Sequence, residues 1–139
     1  MGYRSDVRLV VSREGYKELR EFVKKEAMRW AEPDGYSWDM IEIADSIKFK
    51  DNGDQVMICW QAVKWYEGSF KDVDIIMAGI RLLRDKGYSY SFSRIGEDYD
   101  DIEEYHYEGE LDQEVDWPWI CRYFDDEGLG FEEVLVSER

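Results

Sequence analysis

The side chains with the greatest capacity for chemistry are concentrated in residues 94–108, whose sequence is RIGEDYDDIEEYHYE. This segment holds a dense run of carboxylates, three tyrosines and His106, the only histidine of the chain. Carboxylates at this density can ligate Ca²⁺ or Mg²⁺. Their spacing does not follow the EF-hand pattern, and a two-metal hydrolase draws its ligands from separate elements. A solvated turn, a protein-binding surface and a metal site are therefore three open interpretations of the segment.

The charge of the chain is divided at the same point in the sequence. Residues 1–96 contain 16 acidic and 16 basic residues, whereas residues 97–139 contain 17 acidic residues and carry the whole net charge of −15. This charge opposes direct binding to nucleic acid or to an anionic membrane, because phosphate contacts need Lys and Arg. It favours a basic protein partner, since acids that served only solubility would not need to be segregated.

Residues 97–116 are accordingly predicted to form a partner-binding surface of carboxylates and tyrosines. A β-strand advances about 3.3 Å per residue and B-DNA spaces its charges about 3.4 Å along each strand, so such a surface can imitate a nucleic-acid backbone. Aromatic residues are also common anchors at interfaces. The predicted partner-binding residues are Glu97, Asp98, Asp100, Asp101, Glu103, Glu104, Tyr105, Tyr107, Glu108, Glu110, Asp112, Glu114 and Asp116.

No signature of catalysis or of cofactor binding occurs in the sequence. The P-loop and dinucleotide-binding glycine patterns are absent, and Cys59 and Cys121 do not form the paired motif of a structural zinc site. Both cysteines lie in apolar contexts, which favours buried free thiols over a disulfide. His106 is expected on a surface or edge strand. We therefore predict no catalytic residue, no metal and no cofactor.

Hydrophobic periodicity predicts the element order β-α-β-β-α-β within residues 6–96. Strands are expected at 6–12, 46–50, 55–65 and 88–95, and helices at 13–31 and 70–86. Ser12 and Ser69 are the expected helix N-caps, and Gly87 is the expected glycine after the second helix. A turn is expected at 51–54, and the sequence EPDG at 32–35 is expected to end the first helix. Residues 36–45 suit either a short helical turn or an extended link.

This order predicts an α+β fold, a ferredoxin-like sandwich with two helices on one face of an antiparallel sheet. Apolar residues on both faces of 55–65 indicate a central strand. A fifth strand is expected within 102–108, the aromatic tail at 117–124 is expected to pack on the second face, and 131–136 can form a last strand. The chain is predicted to be a single domain, 1–139, with its core at 6–96 and an acidic, aromatic-rich extension at 97–139.

Composition favours a folded protein of the cytoplasm. Apolar residues make up 44% and aromatic residues 16% of the chain, which argues against global disorder despite the charge. The first residues lack the apolar core of a secretory signal, and no run of about 18 apolar residues is present. A cytoplasmic location is therefore expected.

Three motifs in order, MGYRSDV at 1–7, VKWY at 63–66 with Asp72-Val73 following, and RIGEDYDDIE at 94–103, resemble a group of small, uncharacterised tailed-bacteriophage and prophage proteins. The resemblance extends to about Glu104. No activity is assigned to that group, so no catalytic residue is transferred. The resemblance implies a phage product that acts in the host bacterial cytoplasm.

These observations together favour a non-enzymatic phage protein that binds a basic host protein. The expected partner is a nucleic-acid-binding or defence protein, including restriction and CRISPR effectors, inhibited through an acidic surface that mimics DNA. Two alternatives remain. One is a small metal-dependent hydrolase acting on nucleotides or a signalling molecule, with the same acids as ligands. The other is a structural or sponge-like homo-oligomer, such as a homodimer through Met57, Val63 and Trp65.

Overall fold

The computed structural model describes residues 3–31, 38–50, 52–120, 124–125 and 129–134. Two helices pack on an antiparallel sheet of six strands, so the fold is α+β. The elements are β1 (Ser5–Ser12), α1 (Arg13–Arg29), β2 (Ser46–Lys50), β3 (Gln55–Val63), α2 (Lys71–Lys86), β4 (Tyr90–Ile95), β5 (Ile102–Tyr107), β6 (Trp119–Ile120), β7 (Phe124–Asp125) and β8 (Phe131–Glu133).

The strands of the large sheet lie in the order β5-β4-β1-β3-β2-β8, and every neighbouring pair is antiparallel. The six elements predicted within residues 6–96 are all present. The fifth strand and the short last strand predicted after residue 96 are present as β5 and β8. Strands β6 and β7 form a separate two-stranded ladder. No helix within the described ranges is long and apolar enough to cross a membrane.

Two of the three predicted helix caps are confirmed and one is wrong. The Ser12 hydroxyl accepts a hydrogen bond from the Gly15 amide at 2.9 Å, which confirms the N-cap of α1. Gly87 after α2 adopts a left-handed φ of 88°, as predicted. Phe70, and not Ser69, is the N-cap of α2, and its side chain makes no capping bond. Within the first turn the Asp72 carboxylate accepts from the Val73 amide at 2.8 Å, and the Asp74 carboxylate holds the preceding loop by accepting from the Gly68 amide at 2.7 Å.

Residues 38–45, which precede β2, form a turn that enters the core. The predicted stop signal at 32–35 lies outside the described residues. Within 38–45, Met40 and Ile41 are buried, and the Asp39 carboxylate accepts from the amides of Ile41 and Glu42, each at 3.0 Å. The indole of Trp60 donates to the Met40 carbonyl at 2.8 Å. The Ile43 amide donates to the Asp39 carbonyl at 3.3 Å, so this segment forms a helical turn, the first of the two predicted alternatives.

The core has two layers because strands β1 and β3 are apolar on both faces. On the helix-covered face, side chains of the two helices pack against alternate residues of the central strands, including Val7, Leu9, Val11, Leu19, Val23, Ile58, Trp60, Ile76, Leu83 and Phe92. On the second face, Val10, Met57 and Cys59 are buried beneath Val115, with Phe131 packed beside them. The C-terminal segment therefore returns across the second face, and β3 is covered on both sides as predicted.

This packing overturns the predicted homodimer face. Met57 is fully buried beneath the C-terminal segment, and Trp65 is buried in the helix-side core. Val63 packs against that same core from a partly buried position. Met57 and Trp65 thus lie on opposite faces of the sheet and neither is available to a second copy. Cys59 is buried as expected, and Cys121 lies outside the described residues.

Candidate partner-binding surface

The β4–β5 hairpin carries most of the residues predicted to bind a partner. Tyr90 lies opposite Tyr107 in the register, and Phe92 lies opposite Tyr105. Each pair stacks on the helix-covered face with ring centroids 5.9 Å apart. The two predicted interface tyrosines therefore fix β5 to the core, although Tyr105 remains 50% exposed. His106, between these two tyrosines on β5, points to the second face of the sheet.

Arg94 organises the turn between β4 and β5. Its guanidinium donates to Asp101 through Nη2 at 2.6 Å and to Glu103 through Nε at 2.7 Å. Nη1 donates to the Ser5 hydroxyl at 2.8 Å and to the second Asp101 oxygen at 3.1 Å. Nη2 also lies 2.5 Å from Glu103 Oε1. Arg94 is buried and donates four hydrogen bonds, three of them to carboxylates, so the pairing is one of the stronger kinds available to an arginine.

Tyr3 closes the turn from the N-terminal side. Its hydroxyl donates to Asp101 at 2.6 Å and accepts from the Asp98 amide at 2.8 Å. Gly96 is required at the start of the turn, because a Cβ there would overlap the Asp101 carboxylate and the Tyr3 hydroxyl. The turn is therefore held by side chains from β4, from the loop itself and from the N-terminus.

These contacts shift the pKa values of the participating groups. Hydrogen bonds from Arg94, and then from Tyr3, hold the pKa of Asp101 below its ordinary value. Burial of the Arg94 guanidinium opposes its charge, but the hydrogen bonds to Asp101 and Glu103 outweigh this and the pKa of Arg94 is raised. A hydrogen bond to Glu103 raises the pKa of Tyr105. The lowered pKa of Asp101 and the raised pKa of Arg94 both favour the ionised forms of this pair.

Several predicted partner-binding acids have internal partners. Asp101 and Glu103 bind Arg94, and Glu97 accepts from the Arg4 amide at 3.1 Å. Two further acids attach the extension to the core. Asp112 accepts from the Ser89 amide at 2.7 Å and from the Ser12 hydroxyl, and Asp116 pairs with Lys50. These five carboxylates have structural roles whatever they bind. Glu114 lies 3.2 Å from His106 Nε2, within the extension.

The other predicted acids point into solvent. Their side chains make no hydrogen bond or ion pair with any residue in the described part of the chain: Asp98, Asp100, Glu104, Glu108 and Glu110. We call these five residues the acidic surface. They follow one another along the β4–β5 turn, strand β5 and the segment that leaves it. They are the predicted site residues whose charge no basic side chain of the described residues balances.

Two further features of β5 affect its use as a surface. Strand β5 is the last strand at one edge of the sheet, and within the described ranges no strand pairs with its outer side. On the second face, the Trp117 indole donates to His106 Nε2 at 2.7 Å, and the two rings lie 4.0 Å apart. The His106 ring is thereby packed against the extension, so it is an edge-strand residue with a structural contact.

Sequence reasoning did not identify Arg94 or Tyr3 as organising residues. A signal for Arg94 existed, because it occupies the same face of β4 as Tyr90 and Phe92 and interrupts an otherwise aromatic stripe. A buried cation on a strand needs carboxylates to pair with it. Asp101 and Glu103 follow Arg94 after a short turn and can supply them. Tyr3 carried no comparable signal, since its partner lies 98 residues away.

Comparison with known proteins does not extend this description. Within the described ranges, no group of three or more His, Cys, Asp or Glu side chains is arranged to hold a metal ion. Comparisons with protein-family models, curated proteins and solved structures give no match to this chain.

Proposed function

We propose that this chain is a non-enzymatic protein that binds a basic protein partner through the acidic surface. The observation that carries the proposal is a set of five exposed carboxylates without internal partners in the described structure. They lie in the third of the chain that holds the entire net charge of −15. Uncompensated charge of one sign raises the association rate with a partner of opposite charge.

Rigidity of the underlying structure supports a binding role over a solubility role. The Arg94 cluster and two ring stacks hold the turn and β5 in one conformation. Asp112 and Asp116 attach the following segment to Ser89 and Lys50. A surface that is ordered before binding loses less conformational entropy when a partner binds. Solubility alone would be served equally well by an unstructured acidic tail.

The partner class we propose is a nucleic-acid-binding protein. Such proteins present basic grooves that contact phosphates, and exposed carboxylates of the acidic surface can take the place of phosphates there. The resemblance to phage proteins makes an inhibitor of a host defence effector our specific hypothesis. We also assign the core to the ferredoxin-like class, and the order β4-β1-β3-β2 of the four central strands with two helices on one face supports this.

Affinity capture from bacterial lysate tests the proposal. The tagged protein should retain a basic protein at about 50 mM salt, release most of it at about 500 mM, and release it at low salt when duplex DNA is added as a competitor. Mass spectrometry identifies the captured protein. Retention of no basic protein, or retention that DNA does not affect, would contradict the proposed partner class.

A further inference from the structure

A pocket of about 230 Å³ lies between the N-terminus, the connection from β3 to α2 and the β4–β5 hairpin. Four aromatic rings line it, those of Tyr3, Trp65, Tyr66 and Phe92. Trp65 and Phe92 are almost completely buried and lie with ring centroids 5.9 Å apart, so they form the inner wall. The volume is below the range of about 300–1,000 Å³ usual for drug-sized ligands, which suits a small head group.

The aromatic walls are held in place by hydrogen bonds. The Tyr66 hydroxyl donates to the Tyr3 carbonyl at 3.0 Å, and the Tyr3 hydroxyl donates to Asp101 at 2.6 Å. Tyr66 also packs edge-on against Phe70, with ring centroids 5.3 Å apart. The side chains of Tyr3 and Tyr66 are therefore fixed in the positions that form the pocket.

The charged groups of the pocket favour a positive ligand. Glu67, Asp101 and Glu103 contribute three carboxylates and Arg94 contributes one guanidinium, which leaves a formal charge of −2 on the lining. Arg94 donates four hydrogen bonds to Ser5, Asp101 and Glu103 and is paired with both carboxylates, so its charge is already compensated by groups of the protein. Aromatic faces add to the attraction for a cation, because the ring quadrupole is negative above its plane.

We propose that this pocket binds an organic cation, a guanidinium or alkylammonium group on a slender apolar stem. The cation would lie among the carboxylates and in contact with the rings of the pocket. The cation can be a free small molecule or a basic side chain of a protein. The inference stands on the pocket itself and does not depend on the proposed function of the acidic surface.

Glu67 and Arg81 provide opposite perturbations of this site. Glu67 is the pocket carboxylate that does not bind Arg94, and its only ion pair within the described structure is with Arg81 at 3.6 Å, with both side chains at least half exposed. Glu67→Gln removes attraction for a cation without disturbing the Arg94 cluster. Arg81→Met removes an internal cation that competes for Glu67. Glu21→Gln, at an exposed site on α1, is the matched control for loss of one negative charge.

Titrations followed by NMR on the full-length protein test the proposal, with ethylguanidinium as the cation and N-ethylurea as its neutral isostere. Ethylguanidinium should shift the Trp65 indole signal saturably and bind at least about tenfold more tightly than N-ethylurea. Glu67→Gln should weaken ethylguanidinium binding about three- to tenfold, as expected for one partly solvated charge at contact distance, and Arg81→Met should strengthen it. Glu21→Gln should leave it unchanged.

Butylammonium and a short peptide, acetyl-Gly-Arg-Gly-amide, distinguish the source of the cation. Tighter binding of the peptide than of the free cations supports the pocket as a receptor for a basic side chain, and the reverse order supports a small-molecule cation. Equal affinity for ethylguanidinium and N-ethylurea would overturn the proposal. An equal effect of Glu67→Gln and Glu21→Gln would overturn it as well, whether or not the acidic surface captures a protein.

Discussion

Replacement of Arg94 by Met tests whether this side chain holds the turn that carries the acidic surface. Met keeps much of the apolar stem of Arg94 but removes every hydrogen bond to Ser5, Asp101 and Glu103. It also leaves two carboxylates facing each other without a cation. The variant therefore removes charge compensation while changing the packing volume little.

The magnitude follows from the exposure of the three groups. Removal of one partner from a buried ion pair costs about 3–5 kcal/mol, whereas exposed pairs contribute about 0.2–1 kcal/mol. The side chain of Arg94 is 10% exposed, but those of Asp101 and Glu103 are 29% and 38% exposed and recover some hydration. We expect the free energy of unfolding to fall by about 2–3 kcal/mol, and Tm by roughly 8–12 °C.

Urea unfolding followed by circular dichroism measures this loss. Arg81→Met is the matched control, because it removes an exposed arginine from a single surface ion pair and should cost less than about 0.5 kcal/mol. A triple variant, Arg94→Met with Asp101→Asn and Glu103→Gln, should recover at least half of the loss by removing the like-charge repulsion. If Arg94→Met lowers the free energy of unfolding by no more than Arg81→Met does, the assignment of Arg94 as the organising residue is wrong.

Three further predictions concern the same fold. The pKa of Asp101 is held below its ordinary value of 3.8, so its contribution to stability is complete at neutral pH and is lost as the pH falls through 3.8 and below. Wild type should therefore lose more unfolding free energy than Arg94→Met between about pH 6 and pH 2, and an equal loss in urea titrations would contradict this. Gly96→Ala should cost about 1–3 kcal/mol by thermal unfolding, because its Cβ would overlap Asp101 and Tyr3; an unchanged Tm would show that the turn adapts. Val115→Ala should cost about 1–3 kcal/mol if the C-terminal segment seals the second face, and a cost near zero would show that the segment contributes no packing.

Local patterns in the sequence predicted the secondary structure well because they report local chemistry. Ser12 and Gly87 marked helix boundaries through capping bonds and a left-handed φ, both of which depend on a few adjacent residues. The strand β2 at Ser46–Lys50 followed from simple alternation. Ser69 failed as a cap because α2 begins one residue later than its position requires, with Phe70 at the N-cap, and a one-residue difference in a helix start cannot be read from residue type alone.

Long-range partners were the part that the sequence could not supply. Alternation along β3 showed that both of its faces are apolar, but not that Val115 and Phe131 cover Met57. The same limit applies to the acids, since nothing local indicates that Asp116 pairs with Lys50 across 66 positions while Glu104 remains exposed. The predicted partner-binding residues therefore contained both structural and uncompensated carboxylates, and only the tertiary structure separates them.

Charge reversal at matched positions tests the acidic surface most directly. One variant carries Glu104→Lys, Glu108→Lys and Glu110→Lys, and its control carries the same reversals at Glu21, Asp54 and Asp85, which are exposed and lie outside the extension. The two variants change the net charge by the same amount and differ only in the part of the molecule where the charges are reversed. Capture of the basic partner from lysate at about 50 mM salt should be lost in the first variant and retained in the second. Equal capture by both, or equal loss in both, would contradict a partner-binding role for the acidic surface.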